Sequence, residues 1–139
     1  MHCACGSGVP EAVCCARWIA TGAAPTAQAL MRSRYTAYVR GEVAYLVATQ
    51  DESTRANVDV AAVEQWSRET EWRGLEILEV VRGEEDDDEG IVEFIARGVT
   101  RGRPFAQRER SRFRRVDGRW YYIDGVVTTS PKRAKNRDR

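Results

Sequence analysis

Hydrophobic positions recur every three or four residues early in the chain and every two residues later, and this change of period is its main structural signal. From residue 28 to 40 no glycine or proline intervenes. Ala27, Leu30, Met31, Arg34, Tyr35 and Tyr38 there fall on one helical face. Thr26 is placed to cap this helix and Gly41 to stop it. Arg34 lies in the middle of the apolar stripe, whereas Arg32 and Arg40 point elsewhere. Residues 42–49 predict a second, short helix with Val43, Leu46 and Val47 inward. Asp59 caps a third over 60–68, with Val63 and Trp66 inward.

After Glu71 the texture becomes β-branched and aromatic. Strands are predicted over 72–82, 90–101, 104–116 and 119–127. The acidic block 84–89 occupies the first turn, Gly102 the second, and Asp117-Gly118 is a type I′ hairpin signal for the third. Helices first and strands after is an α+β pattern, not βαβ. Alternation puts Glu109, Ser111 and Phe113 on one face of the third strand, with Arg108, Arg110 and Arg112 on the other. It likewise groups Trp120, Tyr122 and Asp124 in the last strand, opposite Tyr121 and Ile123.

Length and charge narrow the class. At 139 residues the chain is long enough for one core, with an appendage. Its net charge of +1 argues against a dedicated nucleic-acid binder. Residues 101–115 carry seven arginines against one glutamate, a run that usually means solvated surface. No apolar run approaches a membrane span.

All four cysteines crowd into the first fifteen residues: Cys3, Cys5, Cys14 and Cys15. Four thiolates are what a closed structural zinc site needs, and such a site also accepts iron. Gly6 and Gly8 let the chain turn back, and Pro10 and Glu11 suit the first turn of a short helix presenting the second pair. Disulfides are the competing reading. Against them stand the missing secretion signal, the clustering at one end, and the adjacency of Cys14 and Cys15. His2 would be a fifth group where four suffice. Residues 16–25 read as a loop closed by Pro25, with Trp18 and Ile19 packing the knuckle onto the rest. Reduced, metal-ready thiols point to the cytoplasm.

Cys3-Ala-Cys-Gly-Ser-Gly8 followed by Cys14-Cys15 resembles the SEC-C motif, the zinc knuckle at the C-terminus of the translocase ATPase SecA. Three further stretches extend the likeness: Leu30-Met-Arg-Ser-Arg-Tyr-Thr-Ala-Tyr38, Glu109-Arg-Ser-Arg-Phe113 and Trp120-Tyr-Tyr-Ile-Asp-Gly125. Together they resemble the bacterial YchJ family, which has no established biochemical function. The resemblance implies a knuckle over residues 1–20, then a nuclear-transport-factor-2-like α+β domain over 26–127. In that domain three helices pack on a strongly curved four-stranded antiparallel sheet. Some members end in a second SEC-C motif. Here residues 130–139 are cysteine-free, polar and basic, and are expected to be disordered.

The cup between helices and sheet is the second candidate site. Arg34, Tyr35, Tyr38, Glu109, Ser111, Trp120, Tyr122 and Asp124 are its candidate lining, with an Arg34–Glu109 ion pair inside it. That pair serves either an open pocket or a filled core. No histidine lies in this part, and no serine or cysteine nucleophile has an activating partner, so no catalytic residue is assigned. Three roles remain: an adaptor whose knuckle docks on a protein partner, which the resemblance to the translocase knuckle implies is secretion or chaperone machinery; a ligand-binding or enzymatic cup; and association with nucleic acid or the ribosome. The sequence fixes no oligomeric state.

Overall fold

Helix α2 (Ala27–Arg40) starts where Thr26 Oγ1 accepts from Ala29 N–H at 3.0 Å, and stops at Gly41 in the left-handed region. It is buried on more than its apolar stripe: Ser33, Arg34, Thr36 and Ala37 are buried along with Ala27, Leu30, Met31 and Tyr35. Other elements cover it on several sides. The computed structural model describes residues 2–128, and in it α2 packs on the sheet, on α1 (Cys15–Thr21) and on α3 (Val43–Ala48). Two shorter helices follow, α4 (Glu52–Arg55) and α5 (Val60–Glu69), capped by Asp51 and Asp59.

The four strands β1 (Thr70–Arg82), β2 (Glu89–Thr100), β3 (Arg103–Val116) and β4 (Arg119–Val127) form one antiparallel sheet in sequence order. Arg101-Gly102 and Asp117-Gly118 all have positive φ, as two-residue hairpin turns require. Where α2 begins, it lies directly on the β1–β2 hairpin. Ala27 N–H donates to Gly83 O at 2.9 Å, and a Cβ on Gly83 would lie 2.7 Å from Ala27 Cβ. Glycine is required there for close approach.

The inner sheet face carries Val92, Phe94, Ala96 and Phe113 into the core against Leu30, Met31, Tyr35 and Leu46. The outer face is laced with ion pairs: Glu76–Arg97, Arg110 to Glu79 and Glu93, Arg108–Glu93 and Arg112–Asp124.

Two expectations change. Residues 16–25 are not all loop: α1 covers Cys15–Thr21 and ends on left-handed Gly22. Strict alternation in β4 also fails, because Phe113 pairs with Tyr122 but Arg112 with Asp124, leaving Ile123 as a bulge. The basic tail lies outside the described residues.

Candidate metal centre and cup

The first pair of cysteines is presented by a tight local loop. Cys3 N–H donates to Val9 O at 2.9 Å, and Gly6 N–H to Cys3 O at 3.2 Å. Gly6 and Gly8 both take positive φ to make that turn. Cys14 follows a 3-10 turn at Glu11–Val13, and Cys15 opens α1. The four Sγ atoms lie within 4.8 Å of one another, with Cys5–Cys14 at 3.6 Å and Cys14–Cys15 at 3.9 Å. A tetrahedral ion with metal–sulfur bonds of about 2.3 Å sets sulfurs roughly 3.8 Å apart, so this donor set fits one. All four are free thiols, and all but the half-buried Cys14 are buried.

Helix α2 supports the cluster from below. Arg32 donates to Cys5 O at 2.7 Å and reaches Cys5 Sγ at 3.9 Å, and Cys3 Sγ meets Thr36 Oγ1 at 3.5 Å. Ser7 Oγ lies 3.2 Å from Cys14 Sγ. Hydrogen bonding from Cys15 pulls the Cys5 thiol well below its ordinary value, and the same contact pushes Cys15 up. His2 is exposed and outside the group.

Behind α2 lies a cavity of 340 Å³. Arg34, Tyr35, Tyr38, Glu109 and Tyr122 line it, with Trp66, Trp72, Gln50 and Gln107. The α4–α5 connection contributes exposed Asn57 and Asp59 to its rim. Arg34 is buried and held by neutral acceptors: Leu46 O at 2.9 Å, Thr49 Oγ1 at 2.7 Å and Gln50 Oε1 at 3.3 Å. Burial pulls its pKa down, and the nearby tyrosines and Glu109 oppose that shift. Its guanidinium stacks 4.5 Å from the Tyr122 ring centre. Tyr122 OH donates to Glu109 Oε2 at 2.7 Å, and Ser111 Oγ donates to the same oxygen at 2.7 Å. Burial first, and Glu109 second, push the Tyr122 phenol up, so it stays a donor.

Among known proteins, the family described as "YchJ, middle NTF2-like domain" matches residues 26–125. The chain belongs to the YchJ family. A UPF0225 protein of Chromobacterium violaceum is 46% identical over 127 residues, covering 90% of this chain and 92% of its own. One from Geobacter sulfurreducens is 44% identical over 125 residues, covering 88% and 77%. Two solved structures of SEC-C motif containing proteins share the fold. That from Rhodopseudomonas palustris has a TM-score of 0.83 at 37% identity, covering 92% of this chain and 99% of its own. That from Psychrobacter arcticus has a TM-score of 0.77 at 28%, covering 94% and 84%.

Within this YchJ fold not every candidate residue reaches the cup. No direct ion pair joins Arg34 and Glu109; the Tyr122 ring stands between them. Ser111 is fully buried behind the wall, holding Glu109. Trp120 is buried elsewhere in the core, with Nε1 donating to Pro25 O at 3.1 Å. Asp124 is on the outer sheet face, paired with Arg112 at 2.8 Å, because the Ile123 bulge breaks the alternation that had placed it with Tyr122. The inner place falls to Gly125, where a Cβ would come within 2.0 Å of Glu109 Oε2. Sequence reading also missed Gln50, Trp72 and Gln107 as lining. Trp66, inward by helical spacing, joins the lining as well. Gln50 lies just beyond the second predicted helix, where periodicity carries no signal. Gln107 does alternate with Phe105 and Glu109, a usable signal, whereas the bulge between Trp72 and Gly74 puts Trp72 out of step with Leu75 and Ile77.

Proposed function

We propose that this YchJ-family chain is a non-enzymatic binding protein: a structural zinc ion locks the N-terminal knuckle onto α2, and the cup on the other side of α2 takes a small ligand. The 340 Å³ cavity with its fixed polar end carries the ligand reading. The volume falls at the lower end of the roughly 300–1,000 Å³ typical of small-molecule pockets. For the metal, an all-sulfur donor set at tetrahedral spacing favours zinc, with iron as the competitor. When bound, a zinc ion of this kind supplies folding energy rather than chemistry. Residues 1–20 then act as the knuckle and 26–127 as the cup-bearing unit. The free thiols suit a reducing compartment such as the cytoplasm.

Native mass spectrometry of freshly purified, unchelated protein tests both halves in one measurement. One zinc per chain is expected, absent from a Cys3→Ser, Cys5→Ser variant, and any retained small molecule appears as a further mass. A metal-free sample with four freely reactive thiols would refute the metal site, and an iron mass would replace zinc by iron.

An adaptor role has one feature in its favour. Val9 and Val13 of the knuckle are 39% and 53% exposed, two apolar side chains open to a partner. A partner protein captured by the intact chain but lost by Val9→Ser, Val13→Ser with zinc retained would carry that reading. Association with nucleic acid finds less support. Arg108, Arg110, Arg112, Arg114 and Arg115 on β3 are all engaged with carboxylates. No described helix is long and apolar enough to cross a membrane.

A further inference from the structure

The walls of the cup and its polar end differ in chemistry, and the difference restricts what fits. Tyr38–Trp66, Tyr38–Trp72 and Trp66–Trp72 pack at 5.3, 5.6 and 4.9 Å between ring centres, giving one side of the cavity a cluster of aromatic rings. The other side holds two formal charges that are not equally available, while a third, the Asp59 carboxylate, stands at the rim exposed to water. Arg34 spends its NH1 group on Leu46 O and Thr49 Oγ1, an NH2 hydrogen on Gln50 Oε1, and its flat face on Tyr122. Glu109 Oε2 accepts from both Ser111 and Tyr122, while among the described residues Oε1 accepts only from Gln107 Nε2, at a long 3.3 Å. A carboxylate has about four acceptor positions, so Oε1 keeps capacity toward the cavity.

The two charges inside the cup decide the ligand's own charge, because water screens the exposed Asp59 at the rim. Arg34 and Glu109 flank Tyr122 with opposite signs, and a charged ligand attracted by one is repelled by the other while losing its hydration. A neutral ligand carries no such penalty. We propose that the cup binds an uncharged, flat heteroaromatic compound of one or two fused rings, which donates one N–H to Glu109 Oε1 and packs against Trp66 and Trp72. The proposal rests on the reading of the cup as a ligand site and adds the ligand's class.

Indole is a suitable probe, being neutral and flat with a single N–H donor. It is titrated into the intact, nitrogen-15-labelled protein, and the side-chain N–H resonances of the tryptophans are read. Trp66 and Trp72 line the cavity, whereas Trp18 and Trp120 do not and serve as internal controls. Indole is expected to shift the first pair saturably and leave the second in place. Losing a hydrogen bond to a charged acceptor should weaken 1-methylindole by about tenfold or more. Cationic tryptamine and anionic indole-3-acetate should also bind more weakly than indole. Glu109→Gln should shrink the gap between indole and 1-methylindole. The four-compound comparison on the unmodified chain decides the matter even if that variant unfolds. No saturable shift with any of the four would remove the cup as a ligand site. Equal binding of indole and 1-methylindole, or tighter binding of either charged compound, would overturn the ligand class and leave the cup standing.

Discussion

Among single residues, Arg34 is a buried cation held by uncharged partners. Helical spacing alone marks it as a cation on an apolar stripe, and it is 6% exposed. Strand alternation made Tyr122 legible as a neighbour, but the neutral acceptors were not, because they come from residues 46–50, where no local pattern announces them. A direct pair with Glu109 was the natural inference from two buried charges, yet neutral acceptors and a tyrosine ring do that work. Arg34→Met is expected to cost about 1–3 kcal/mol, since it leaves the Leu46 carbonyl only a long 3.5 Å contact from Thr49 Oγ1. A double-mutant cycle with Glu109→Gln should give a coupling well below the roughly 3–5 kcal/mol that marks a broken buried pair. Denaturant melts of the two single variants and the double measure both, and a coupling as large as that would mean direct contact.

At the scale of elements, the strongly periodic segments were legible and the joints between them were not. α2, α3, α5 and all four strands form where the periodicities place them, although bulges interrupt the alternation in β1 and β4. α1 was missed, although Gly22 after a seven-residue run without glycine or proline is a helix stop that could have revealed it. The β4 bulge has no sequence signal, and it moves Asp124 outward. It also frees Ile123 O to accept from Thr54 Oγ1 at 2.7 Å and Gln50 Nε2 at 3.3 Å, which fixes the side chain that holds Arg34. Short α4 depends on Asp51, which caps it through Ser53 N–H and pairs with Arg114 at 2.6 Å. Burial raises the Asp51 pKa, but Arg114 and Ser53 outweigh it and hold the carboxyl below its ordinary value. A depressed folded value means that Asp51 stabilises the fold fully above its unfolded value of about 3.9, and that this stability is lost as pH falls through the folded one. Asp51→Asn should therefore lower the thermal midpoint at pH 7, with the gap to wild type closing as the pH is taken down to 3. A gap independent of pH would show that the charge contributes nothing.

For the molecule as a whole, one helix serves both candidate sites. Arg32 and Thr36 touch the cysteine cluster while Arg34, Tyr35 and Tyr38 line the cup. The family likeness made both ends legible as motifs, but not that they stand back to back. Chelation is expected to loosen residues 2–21 and to leave amide protection in the sheet intact, because the core of α2 against β2 and β3 involves no cysteine. Loss of protection throughout the chain on chelation, read by hydrogen exchange, would contradict this. The back-to-back arrangement also bears on how the two parts are attached. Between α1 and α2 the chain runs through only five residues, with Ala23 exposed. Arg32, Thr36, Trp18, Ile19 and Leu75 hold the same two parts together across space. The covalent link thus carries little of the attachment. A protease cutting near Ala23 would leave two fragments still bound to each other, and separately made pieces divided there would have every surface needed to find one another again.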